Sequence, residues 1–192
     1  MTMNRLNQIA CLSLAASTLA FASCSRSDDA SARAKAAPAE PTGMPAMGIV
    51  RLPDGLVVRG EPSGAHVAAC KAAAKQGEEV TIVGRIGGTR NPFVADAAVF
   101  TIVDPSLKAC GESGDDHCKT PWDYCCEDRE AMKRGMATVE VVGDDGQPLA
   151  LPLRGLQGLE PLAMVAVTGT VTERNDQGVF VVRANKIIRS EC

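Results

Sequence analysis

The feature that most narrows the fold of this 192-residue chain is a two-residue apolar period that returns five times after residue 79. It runs through Val80-Thr-Ile-Val-Gly-Arg-Ile86, Ala98-Val-Phe-Thr-Ile-Val-Asp104, Ala137-Thr-Val-Glu-Val-Val142, Met164-Val-Ala-Val-Thr-Gly-Thr-Val-Thr172 and Val179-Phe-Val-Val-Arg-Ala184. Alternation of this kind gives a strand one buried face, whereas a helix would need a period near 3.6. Turn signals stand between the segments: Asp144-Asp-Gly146, and Asn175-Asp-Gln-Gly178, which closes a hairpin between the last two strands. Gly155 to Leu162 reads as a one-turn helix or coil between the third and fourth strands. Five strands with a short helical link after the third is the connectivity of an OB-fold-like barrel, so the fold class is mainly β.

Ahead of the barrel, residues 49–76 are expected to supply a short strand and a helix. In Pro62 to Gln76, Val67, Cys70 and Ala74 recur at helical spacing, and Gly77 stands where a helix would stop. The barrel then occupies 77–192, interrupted by a Cys-rich insertion at 105–135 between strands two and three. Three stretches, Gly77-Glu-Glu-Val-Thr-Ile-Val-Gly-Arg-Ile-Gly-Gly88, Phe100-Thr-Ile-Val-Asp104 and Val167-Thr-Gly-Thr-Val171, precede a polar hairpin and Val181-Val-Arg-Ala184. Together with Thr120-Pro-Trp-Asp-Tyr-Cys-Cys126, they resemble exported bacterial lipoproteins carrying an OB-fold-like domain, a group with no assigned activity. The resemblance covers about residues 76–189. It implies a fold and an envelope address, and it carries over no catalytic residue.

The N-terminal segment agrees with that address. Residues 1–23 hold one basic residue, Arg5, followed by an uncharged apolar run that ends in Phe21-Ala22-Ser23-Cys24. The run is too short for a comfortable membrane span and reads as an export signal. Small residues before a cysteine resemble the lipobox, which makes Cys24 the expected lipidation site and the first mature residue. Two or three acyl chains would anchor it stably in the membrane. Residues 24–48, rich in Ala, Pro and Ser, are too poor in core-forming side chains to fold and are expected to be a disordered tether. Ser25, where Asp would suggest inner-membrane retention, favours the outer membrane of a Gram-negative envelope.

Eight cysteines are too many for casual core filling. Cys11 leaves with the signal and Cys24 takes lipid. Cys110, Cys118, Cys125 and Cys126 lie close together in the insertion, and for an exported chain the simplest expectation is two disulfides joining Cys125 and Cys126 to Cys110 and Cys118 in either pairing. Cys70 and Cys192 remain as each other's expected partner. The alternative is a metal site of Zn²⁺ or Cu⁺ type built from His117, Cys118, Cys125 and Cys126. Thiol-redox chemistry lacks its usual C-x-x-C context, and a haem-attaching C-x-x-C-H run is absent. Trp122 and Tyr124 between the cysteines are possible recognition residues, against which stands a plainer role as the small core of the insertion.

Function classes then narrow. From Gln76 onward there are 18 acidic and 12 basic residues, a balance of −6, and the few aromatics include Phe100 and Phe180 at strand positions suited to the core. Nucleic-acid binding needs a basic groove with stacking platforms, so it is not expected. No G-x-S-x-G, P-loop or H-E-x-x-H is present, and Asp115 and Asp116 are neighbours in a loop where they cannot face each other as an acid–base pair. The expectation is a non-enzymatic module without a cofactor, lipid-anchored in the cell envelope, facing the periplasm and binding an envelope protein, glycan or small ligand.

Overall fold

In the computed structural model, residues 50–112, 114 and 118–191 are described; Cys24 with the expected signal and tether, His117 and Cys192 lie outside them. The described residues belong to one unit of the chain, Met47–Cys192. Its strands are β1 (Val57–Arg59), β2 (Ala65–His66), β3 (Glu79–Ile86), β4 (Val99–Val103), β5 (Met136–Glu140), β6 (Met164–Arg174) and β7 (Phe180–Arg189).

The pairings close on themselves. Antiparallel β3 and β4 are followed by antiparallel β4 and β5, parallel β5 and β7, antiparallel β7 and β6, and antiparallel β6 and β3. A five-stranded barrel in which the third and fifth core strands run parallel is the OB-type arrangement that the alternating segments predict. β1 and β2 are extra strands that run parallel to β7 and β3.

The apolar faces point inward as the two-residue period requires. Ile82 on β3 stands opposite Val167 on β6, and both are fully buried with Phe100, Ile102, Val139 and Val182. The β6–β7 ladder shifts register between Thr168 and Gly169, and a Cβ on Gly169 would lie 2.1 Å from the Arg183 carbonyl oxygen. Only a residue without a side chain permits so tight a crossing, a common use of glycine at bulges.

Two short helices flank the barrel. α1 (Val67–Ala73) is shorter than the stretch 62–76 expected to be helical, because Ala65 and His66 pair with Ile82 and Val83 of β3. It carries no side-chain cap of its own; the Asp104 carboxylate at the end of β4 accepts the Ala68 N–H at 2.8 Å. α2 (Arg129–Gly135) ends the insertion and is capped by Asp128, which accepts from the Ala131 N–H at 2.8 Å. Glu130 lies in its first turn and Lys133 and Arg134 in its last, as the macrodipole favours.

Lys71 ties these pieces together. Its ammonium is buried and donates to the carbonyls of Lys133 and Met136 at 2.8 Å and of Gly178 at 2.7 Å. Burial, followed by the charges of Lys133 and Arg174, brings its pKa down to about 8, so at neutral pH it remains charged with three protons for three acceptors. One side chain thus joins α1, the end of α2 and the β6–β7 turn.

Candidate functional site

The insertion between β4 and β5 is docked on the barrel and is not a free loop. Tyr124 adopts a left-handed backbone with φ 55° and is only 1% exposed, packing with Val103 and Ala109 and against Leu107, Met132 and Leu162. Gly87 makes room for it. A Cβ on Gly87 would lie 2.7 Å from the Trp122 carbonyl oxygen and 2.9 Å from the Tyr124 ring, and the Gly88 N–H donates to that same carbonyl at 2.8 Å. The two limbs of the insertion meet where the Cys110 N–H donates to the Pro121 carbonyl at 3.0 Å.

This docking gathers the four insertion cysteines. Cys125 Sγ lies 3.5 Å from both Cys110 Sγ and Cys118 Sγ and 3.8 Å from Cys126 Sγ, and all four sulfurs fall within 4.8 Å of one another. A disulfide needs about 2.05 Å. The expected pair of bridges is therefore corrected: Cys125 sits centrally against three sulfurs instead of pairing with one. Cys110 is buried, Cys118 half-buried, and Cys125 and Cys126 exposed. Asp123 shapes the turn that carries the pair, accepting from the Cys125 N–H at 3.0 Å and the Thr120 hydroxyl at 2.8 Å, with Cys110 Sγ at 3.6 Å. The hydrogen bond with Cys110, foremost, raises the pKa of the Cys125 thiol. Cys70, expected to bridge Cys192, is buried on α1, where burial and then Glu78 raise its thiol pKa.

The two aromatics separate by role. Tyr124 is core, which corrects its place among recognition residues. Trp122 is half-buried; its indole N–H donates to the Arg90 carbonyl at 3.0 Å, and the Arg154 guanidinium stands 5.9 Å from the ring centre. Both contacts hold it against the barrel.

A cleft of about 550 Å³ opens beside the cysteines. Its wall includes Tyr124, Cys125, Met132, Met136, Val179 and Phe180, contributed by the insertion, α2, β5 and the β6–β7 turn, and Gly88 of the β3–β4 loop closes one end. Arg129, Lys133 and Glu127 also line it, so its charge is mixed. Periodicity alone does not reveal this cleft, because its walls come from three stretches of chain far apart in sequence. Asp104 and Lys71 escaped as well, since an acid after a strand and a lysine on an Ala-rich helix both look solvent-facing. Only the tertiary fold shows their hydrogen-bond partners.

No family model matches the chain, and no curated protein does. Among solved structures it is similar to the hypothetical protein YgiW from E. coli at 14% identity, over 68% of this chain and 94% of that one, with a TM-score of 0.34. The OB-type class rests on the chain's own strand pairing.

Proposed function

We propose that this protein is a non-enzymatic binding module of the cell envelope, held to the membrane by lipid on Cys24, whose cleft receives a segment of envelope glycan. The observation that carries the proposal is the position of the cleft. It lies against the third core strand, β5, between the β3–β4 loop at Gly88 and the β6–β7 turn at Gln177 to Val179. This is the face on which OB barrels take extended oligonucleotides or oligosaccharides. The balance of −6 from Gln76 onward disfavours the first, which leaves the second. The groups facing the cleft suit binding more than turnover: Asp123 is engaged with Thr120 and the Cys125 N–H, and Glu127 accepts from the Lys108 N–H at 2.7 Å.

The test is co-sedimentation of the membrane-extracted protein with isolated peptidoglycan sacculi. The native chain is expected to pellet with the sacculi, and Val179→Trp, which fills the cleft from an exposed position, to pellet several-fold less. Failure of the native chain to sediment, or equal sedimentation of both, rejects the glycan. The intact mass from the membrane fraction separately reads the diacylglyceryl addition at Cys24.

A further inference from the structure

We infer that Cys110, Cys118, Cys125 and Cys126 together bind one thiophilic divalent cation of the zinc class, and that this ion holds the insertion in shape. The site is independent of what the cleft binds.

The argument begins with distances. Four thiolates around one tetrahedral ion, each with a bond of about 2.3 Å, stand about 3.8 Å from one another. The sulfurs observed here are separated by 3.5, 3.5 and 3.8 Å from Cys125 outward, and no pair exceeds 4.8 Å. Four donors converging on one point suit a single ion. A multi-iron cluster spreads its cysteines over several metal atoms, and disulfides would draw the sulfurs into two bonded pairs. Four sulfurs also suit zinc, whose structural sites are almost always four-coordinate and closed.

The donor set differs from the one that spacing suggested. His117 lies outside the described residues, and Cys110, remote in sequence from the Cys125–Cys126 pair, supplies the fourth donor. Three features bring it there: the hydrogen bond from the Cys110 N–H to Pro121, the left-handed turn at Tyr124, and the seat that Gly87 offers the Tyr124 ring. Asp123 is a positioning residue. By accepting the Cys125 N–H and the Thr120 hydroxyl it sets the direction in which the adjacent cysteines leave the turn. Binding balances as M²⁺ plus four thiols giving a tetrathiolate complex of charge −2 and four released protons, with no oxidant or reductant required. Affinity must therefore fall as pH is lowered.

The full chain, reduced and then freed of reductant without oxygen, is titrated with Co²⁺ as a spectroscopic stand-in and then with Zn²⁺. One Co²⁺ per chain, with strong visible bands of tetrahedral cobalt and a thiolate-to-cobalt charge-transfer band, both abolished by one equivalent of Zn²⁺, is the expected result. Cys126→Ser, at an exposed position, is expected to change the tetrathiolate spectrum and weaken affinity at least tenfold while circular dichroism stays native. Cys70→Ser, away from the cluster, should leave the titration unchanged. Protein extracted from membranes without reductant is then weighed under native conditions. A mass increment of one divalent metal ion supports the site. Loss of four hydrogens from two disulfides within Cys110–Cys126, or a titration that Cys126→Ser does not alter, overturns it. Loss of sacculus binding by Val179→Trp would leave these results untouched, so the two proposals fail separately.

Discussion

Asp104→Asn should destabilise the barrel by about 2–4 kcal/mol, and much of that difference should vanish in acid. Asp104 is 2% exposed, and every hydrogen bond of its carboxylate comes from a donor. Oδ2 accepts the Ala68 N–H at 2.8 Å; Oδ1 accepts the Ser106 N–H at 2.9 Å and the Ser106 hydroxyl at 2.7 Å, with His66 Nδ1 at 3.7 Å. Asparagine has the same shape but presents an NH₂ to one side, so a donor must face a donor, and the remaining bonds lose their charge. Hydrogen bonds to charged groups contribute about 1.5–3 kcal/mol each, and a buried group left unpaired costs about 1–3, which sets the range. The seven-residue α1 has no other side-chain cap, so its first turn should fray first. Burial pushes the Asp104 pKa up, but hydrogen bonds from Ser106 and Ala68 and the nearby His66 outweigh it and leave the carboxyl below its usual range. The folded state therefore holds fewer protons than the unfolded state as pH falls. The stabilisation is fully present above the unfolded carboxylate pKa of about 3.9 and is lost as pH drops through the lower folded value. Urea unfolding of both proteins near pH 7 and again near pH 2.5 measures this. A gap between them that is equally wide at both pH values would show that the charge on Asp104 is not what holds α1, and a gap below about 0.5 kcal/mol near pH 7 would refute the capping role altogether.

Two further substitutions probe the joints around the insertion. Lys71→Met keeps the apolar stem but leaves the Lys133, Met136 and Gly178 carbonyls without their donor, and a loss of about 2–4 kcal/mol at neutral pH is expected by chemical denaturation; a loss under about 1 kcal/mol would mean that water replaces the ammonium freely. Tyr124→Phe should be neutral or stabilising by up to about 1 kcal/mol, because the hydroxyl is buried without a hydrogen-bond partner among the described residues. A clear loss of thermal stability in that variant would reveal a partner for the hydroxyl.

The barrel was legible because period-two alternation and a hairpin turn are local signals that burial inside a closed sheet reinforces. Phe100 and Phe180, expected in the core, are both buried there, and the face that the two-residue period requires is filled by Ile82, Val139, Val167 and Val182, all fully buried. The helical link proved equally readable, as the turn Leu156–Gly158. The ends of α1 were not, because the pairing of Ala65 and His66 with β3 is a long-range choice that overrides local helix propensity. The cysteines were recognised as a set but given the wrong geometry. Spacing records how far apart residues lie along the chain, whereas convergence of Cys110 on Cys125 depends on where Gly87 lets Tyr124 sit. Tyr124 itself was ambiguous for the same reason: an aromatic between cysteines can face water or core, and only the empty space above Gly87 decides it.

That last contact shows why the insertion needs more than its own core. Among the described residues between Pro105 and Gly135, only Ala109, Cys110, Tyr124 and Gly135 are buried, and the small cluster around Tyr124 borrows Val103 and Leu162 from outside the insertion. A long connection with so little apolar content has little hydrophobic burial to set against the entropy of ordering it. Hydrogen bonds help at its roots, where Arg85 pairs with Glu112 and the Ala109 N–H donates to Glu112 at 3.1 Å. The Cys118 to Cys126 limb lies farther out, with Cys125 and Cys126 exposed. There the strongest interaction within reach of the side chains present is through sulfur. A single ion shared by four thiolates would cross-link both limbs at once and restrict the unfolded loop without requiring a larger core. It would also place Cys125, which lines the cleft, in a fixed position. The rigidity of the cleft wall and the occupancy of the cysteine cluster are then one property, and chelation should loosen the cleft before it unfolds the barrel.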